Sequence, residues 1–225
     1  MRECLYCGKI IDKTISFTSI FKHSDTYLCT ECYGKLEKVQ CGCQRCGKKT
    51  TEAICSDCLY WERLEETKKY VIKNTSLYYY NEFARNLVQQ LKFLGDCKLL
   101  LVFKNDILSL FKKVKKNIVL VPVPLHEERL SERGFNQSYL IAKLIGLPIL
   151  DILVRNDNTK QSKKKKQERL MLDNQYQLKH DVNLSGKTII IIDDIYTTGA
   201  TIHKIARLFY QTGVEQIYSF TLFRS

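Results

Sequence analysis

No apolar run in this 225-residue chain approaches the roughly 20 residues that a bilayer span requires. The opening residues, Met1-Arg2-Glu3-Cys4, lack the charged-then-apolar order of a secretory leader. No helix-turn-helix or other DNA-reading element precedes the α/β part of the sequence, and residues 1–60 contain no long periodic apolar segment. No internal repeat occurs beyond the recurrence of paired cysteine knuckles. These absences argue against a membrane-spanning protein and a sequence-reading regulator. We expect a cytoplasmic protein, with the inner face of the membrane as an alternative station.

Cysteine, by contrast, is abundant. Eight of the ten cysteines form four Cys-x-x-Cys pairs within the first 58 residues. In a secreted mini-protein such pairs would suggest disulfides. A long, Lys-rich, leader-free chain points instead to a reducing compartment and to zinc. Sequential pairing gives Cys4, Cys7, Cys29 and Cys32 as one set, and Cys43, Cys46, Cys55 and Cys58 as another. An interleaved arrangement is the alternative. Four thiolates leave no coordination position open for water, so both sites are expected to be structural. Cys41 and Cys97 have no knuckle partner and read as packed thiols, with Cys41 a competing ligand. The formal charge of +12 falls to about +8 once two four-thiolate zinc sites are counted.

The texture changes along the chain. Residues 1–60 read as a zinc module, 61–76 as a charged connector, and 77–225 as an α/β domain. Within the last, strands are expected at Leu77–Tyr80, Ile118–Val123, Ile149–Val154, Lys187–Asp193 and Gln216–Phe223. Helices are expected at Glu82–Leu94, Leu99–Val114, roughly 134–145 and Ala200–Thr212. Strands alternating with helices imply a parallel, Rossmann-like sheet.

Ile189–Ile192 form a strand apolar on both faces, as the centre of a parallel sheet requires. They run into Asp193-Asp194-Ile195-Tyr196-Thr197-Thr198-Gly199-Ala200-Thr201, which opens a helix. A helix N-terminus offers unpaired N–H groups to phosphate. Gly199 permits close backbone approach, and Thr197, Thr198 and Thr201 add hydroxyl donors. Asp193 and Asp194 can accept from ribose hydroxyls, or one can hold magnesium. Over these thirteen positions the chain resembles the phosphoribosyl-diphosphate (PRPP) motif of type I phosphoribosyltransferases. In purine-salvage members the first loop position can be a carboxylate that works on the base. Thr197 has no such group, which counts against that chemistry.

A second anchor follows Val121-Pro122-Val123-Pro124: Arg129 and Arg133 are candidate diphosphate ligands, since guanidinium forks pair with phosphate oxygens. The stretch 153–170 holds seven Lys/Arg against two acids. Its Lys163, Lys164, Lys165, Lys166 and Arg169 read equally as a lid over the site and as contacts to nucleic-acid phosphates.

Further motifs lie outside these sites: Cys-Leu-Tyr-Cys-Gly at 4–8, Cys-Gln-Arg-Cys-Gly-Lys at 43–48 and Leu-Lys-Phe-Leu-Gly-Asp at 91–96. With Val-Pro-Val-Pro-Leu at 121–125 and Glu-Arg-Gly-Phe-Asn-Gln at 132–137, the chain resembles the ComF family of competence proteins over nearly its whole length. The resemblance implies a zinc module fused to a phosphoribosyltransferase-like domain. It also implies a role in natural transformation, handling imported single-stranded DNA. The expected partners are a DNA-translocating ATPase of the uptake system and recombination-mediator proteins. Three functional readings stand at this point: a DNA-uptake factor that binds PRPP with magnesium and transfers the ribosyl phosphate, a non-enzymatic adaptor, and a PRPP-sensing regulator. Lys92, inside the Leu-Lys-Phe-Leu-Gly-Asp match, reads equally as a phosphate contact and as a solvated helix lysine.

Overall fold

The computed structural model describes residues 2–11, 27–64, 72–93, 95, 97–112, 114, 117–155 and 175–225. A short antiparallel pair, β1 (Arg2–Glu3) and β2 (Ile10–Ile11), and two short helices, α1 (Thr30–Gly34) and α2 (Ser56–Arg63), accompany the cysteine knuckles. The α/β part begins with β3 (Lys73–Tyr79), α3 (Glu82–Phe93), α4 (Lys104–Phe111) and β4 (Ile118–Pro122). It continues through α5 (Glu127–Arg133), α6 (Gln137–Ile145) and an antiparallel pair, β5 (Leu153–Arg155) and β6 (Tyr176–Leu178). It ends with β7 (Thr188–Tyr196), α7 (Ala200–Leu208) and β8 (Gln216–Arg224). The main sheet has the order β3-β8-β7-β4, and every pairing is parallel.

The four isoleucines of β7 explain the layering. Successive strand residues face opposite sides. Ile190 and Ile192 join a core with Leu87 and Leu91 of α3 and Ile141 and Ile145 of α6. Ile189 and Ile191 join another with Ile202 and Ile205 of α7. The cysteine knuckles divide in the same way. Cys4, Cys29 and Cys32 are buried in the first core, and Cys43, Cys46, Cys55 and Cys58 in the second. The intervening chain crosses the outer edge of β3. There Val39 N–H donates to Leu77 O (3.0 Å), Tyr79 N–H donates to Glu37 O (2.7 Å), and Lys38 bridges Tyr78 antiparallel. That covers an edge which would otherwise present unpaired backbone groups.

Several elements differ from the sequence expectation, three of them for reasons visible in their contacts. β3 starts at Lys73 rather than Leu77, because its polar residues pair inside the sheet. Asn74 Nδ2 donates to Ser76 Oγ (2.8 Å), Ser219 Oγ donates to Asn74 Oδ1 (2.9 Å), and Ser76 shares a 2.7 Å hydrogen bond with Thr221. The helix expected from Leu99 divides into a 3-10 helix, Cys97–Phe103, and α4. The 3-10 run buries Leu99, Leu100, Val102 and Phe103, so no polar face separates them. The strand expected at Ile149–Val154 contributes an isolated parallel bridge from Ile149 to Leu120, then β5.

β4 ends at Pro122, opposite Ile192, whereas β7 continues for four residues alongside β8. Asp193 and Asp194 therefore stand beyond the end of β4, at the carboxyl edge where open α/β sheets bind ligands.

Candidate functional site

A cavity of about 160 Å³, open to solvent, lies at that edge. Asp193, Asp194 and Thr201 form its floor, and Val123–Leu125 one wall. Lys92 reaches in from α3, and its Nζ lies 2.5 Å from Asp194 Oδ2. The acids are held differently. Asp193 Oδ1 accepts from the Asp194 backbone N–H (2.9 Å) and from Ser138 Oγ (3.2 Å). Burial first, and the neighbouring Asp194 charge second, push the Asp193 carboxyl up to about 7, against those hydrogen bonds and Lys92.

The second anchor is built by caps. Asn136 Oδ1 accepts from the backbone N–H of Ser138 (2.9 Å), which starts α6, while Asn136 Nδ2 donates to Val123 O (2.9 Å). One side chain thus fixes the start of α6 to the loop after β4. Gly134, at φ 72°, closes α5 in the left-handed conformation that favours glycine. Arg129 and Arg133 on α5 both line the cavity. Gln137 and Ser138 at the start of α6 line it too. Gln137 is 2% exposed, and its Nε2 has no hydrogen-bond partner among the described residues.

Thr197 and Thr198 are exposed, and Thr201 lies in the first turn of α7. Gly199 sits at φ 86°, and a Cβ there would collide with the Tyr196 hydroxyl, so a side chain is excluded both by strain and by space. Ala200 opens α7 without a side-chain cap, which leaves its first N–H groups to a ligand or water. The sequence reading missed the other side of this loop. Trp61 Nε1 donates to Thr198 O (2.7 Å), and the indole stacks on His203 at 4.6 Å and 11°. It also missed Tyr176 of β6, which lines the cavity with Arg155 of β5, the first cation of the basic stretch, whose guanidinium lies 5.7 Å from the Tyr176 ring centre. These pairings join distant segments and leave no local sequence signal. Lys163, Lys164, Lys165, Lys166 and Arg169 lie outside the described residues.

Eight cysteines gather as two tetrads, Cys4/Cys7/Cys29/Cys32 and Cys43/Cys46/Cys55/Cys58, with the sulfurs of each within 4.8 Å of one another. The pairing is sequential. Cys7 and Cys29 are 3.8 Å apart, Cys43 and Cys58 3.8 Å, and Cys46 and Cys55 3.6 Å. A tetrahedron with Zn–S bonds of ~2.3 Å has an edge of roughly 3.8 Å. Both tetrads fit zinc. In the second, Cys46 is pulled down to about 4, first by a hydrogen bond from Cys58, with burial opposing and Arg224 assisting.

The Phosphoribosyl transferase domain family matches residues 130–225. Over 228 aligned residues the chain is 39% identical to Competence protein ComFC of Bacillus subtilis (strain 168), covering 99% of this chain and 95% of that one. The chain belongs to the ComFC family of competence proteins. Competence protein ComFC of Streptococcus pneumoniae (strain ATCC BAA-255 / R6) is 31% identical over 99% of this chain and 100% of its own length. The DNA utilization protein YhgH of Escherichia coli (strain K12) is 24% identical, over 88% of this chain and 90% of its own. The alignment spans both the Cys-rich part and the phosphoribosyltransferase-like part of the chain. No helix among the described residues is long and apolar enough to cross a membrane.

Proposed function

We propose that this chain is a competence factor that handles incoming single-stranded DNA and binds PRPP, with magnesium, in the cavity beyond β4 and β7. The observation that carries this reading is the charge arrangement: two adjacent carboxylates on the floor, faced by Lys92, Arg129 and Arg133. Carboxylates suit ribose hydroxyls and a magnesium ion, and guanidinium forks suit the diphosphate. The loop residues Thr197, Thr198 and Gly199 and the first turn of α7, with Ala200 and Thr201, receive the 5-phosphate. DNA contact falls to the basic stretch 153–170, and the zinc module spans 1–60. A DNA-translocating ATPase and recombination mediators are the protein partners that fit this role, on the cytoplasmic side of the membrane.

The test is calorimetric titration of the zinc-loaded full chain with PRPP and magnesium. Saturable, magnesium-dependent binding that is lost in Asp193→Ala and Asp194→Ala is expected. Absence of binding at millimolar ligand would reject the assignment. A second reading, transfer of the phosphoribosyl group to a base, is favoured by Asp193, whose carboxyl near 7 is matched to proton transfer at neutral pH. Release of pyrophosphate from PRPP by a candidate acceptor would establish it.

A further inference from the structure

We propose that Trp61 is a positioning residue through which the second thiolate tetrad sets the ligand affinity of the phosphate loop. The inference rests on the loop at 197–201 being the phosphate site. Cys55 caps the N-terminus of α2 and Cys58 lies within it, so metal ligation by these two residues fixes the helix. Trp61 follows Cys58 by three positions, on the same side of the helix. From there its Nε1–H reaches Thr198 O at 2.7 Å, and its ring stacks on His203, one turn into α7.

Planarity of the peptide unit gives that bond a consequence. The carbonyl of Thr198 and the N–H of Gly199 belong to one trans peptide and point in opposite directions. Holding the carbonyl on the side of α2 aims the Gly199 N–H away from α2. The same hydrogen bond polarises the peptide and strengthens that N–H as a donor. Gly199 has the positive φ that this orientation requires, and its lack of a Cβ leaves room for Tyr196. The stack on His203 holds the helix that supplies the next donors, Ala200 and Thr201. The loop is therefore shaped from behind by a side chain of the cysteine-rich segment.

The chain contains one tryptophan, so indole emission comes from Trp61. The full zinc-loaded chain is titrated with PRPP and magnesium, with calorimetry and Trp61 fluorescence followed in parallel. A saturable fluorescence change with the calorimetric midpoint is expected. Trp61→Phe keeps a ring against His203 but loses the donor. It should bind roughly 3- to 10-fold more weakly, the effect of one hydrogen bond, with two zinc ions per chain and wild-type unfolding retained. Cys58→Ser should weaken binding at least as much, and adding Trp61→Phe to it should bring little more, since coupled residues are not additive. Should Cys58→Ser fail to fold, Trp61→Phe decides alone. Affinity within twofold of wild type in Trp61→Phe, or additive losses in the double variant, would overturn the inference while leaving PRPP binding intact. No calorimetric binding in the wild type would overturn the phosphate-site reading and this inference with it.

Discussion

Arg224 Nη2 lies 3.3 Å from Cys46 Sγ, a contact between the last strand and a knuckle 178 residues earlier. Arg224 is 1% exposed, and its Nη1 donates to Tyr196 O at 3.1 Å. A buried guanidinium is tolerated only opposite negative charge. Four thiolates around a divalent ion keep a net negative charge and supply it. The cysteine-rich segment and the sheet therefore meet through an ion pair as well as through apolar packing.

Replacing Arg224 by methionine preserves much of the apolar stem and removes the cation, leaving thiolate charge uncompensated in the core. Breaking one side of a buried pair costs about 3–5 kcal/mol. We expect Arg224→Met to lower the free energy of unfolding in urea by about 3 kcal/mol. A change below roughly 0.5 kcal/mol, the range of ordinary surface substitutions, would show that the pair carries no stability.

His203 sets a pH dependence. It is 5% exposed, its Nδ1 has no hydrogen-bond partner among the described residues, and burial pulls its pKa down to about 4. In the unfolded chain the same group titrates near 6.5. Between those values the unfolded state binds the extra proton, so stability falls as pH drops from about 6.5 to 4 and levels off below. The ceiling of this loss is about 3 kcal/mol. Asp193 acts in the opposite sense, since its raised pKa makes the native state the better proton acceptor below about 7. Comparison with a variant isolates the histidine. His203→Phe keeps a ring against Trp61, so its stability should decline less than wild type between pH 7 and pH 4. Parallel profiles in urea titrations at several pH values would contradict the assignment.

The legible parts of the sequence were those with local signals. The apolar run Ile189–Ile192, the two acids after it and the glycine at 199 lie within thirteen consecutive positions, and their chemistry follows from neighbours along the chain. The cysteine tetrads were equally open, because a Cys-x-x-Cys turn presents both ligands to one point. The start of β3 was hidden because Asn74 and Ser76 read as turn residues until Ser219 and Thr221 stand beside them. Lys92 divided evenly between solvent and phosphate in the sequence, and only the fold brings it to Asp194. The contacts of Trp61, His203 and Arg224 were hidden for one reason. Each acts on a partner more than a hundred residues away, and spacing cannot encode such pairs.

Metal content separates the ligands from the bystanders. Cys41 is exposed and belongs to neither tetrad, and it is the carbonyl of this residue that accepts from the Tyr79 hydroxyl. Cys41→Ser should therefore keep about two zinc ions per chain, one for each four-thiolate site. Cys7→Ser and Cys46→Ser should each reduce the count to about one, read by elemental analysis of protein purified under reducing conditions. Iron in place of zinc would change the metal assignment, and loss of metal in Cys41→Ser would require a different ligand set.

Gln137 offers the sharpest separation of binding from stability. Its side chain is 2% exposed, yet it lines the cavity with an Nε2 that has no hydrogen-bond partner among the described residues. A buried donor without a partner carries a desolvation penalty of about 1–3 kcal/mol. Removing the donor while keeping the shape lifts that penalty. Gln137→Met should therefore leave the free chain as stable as wild type, or more stable, in urea unfolding. Under the proposed function a phosphorylated sugar in the cavity gives this donor its partner, so the substitution should weaken PRPP binding by about tenfold, the equivalent of roughly 1.4 kcal/mol. Reduced stability with unchanged affinity would place Gln137 among the packing residues instead, because an amide that supports the fold loses its contribution in the unliganded protein, whereas one poised for a ligand loses it only in the complex.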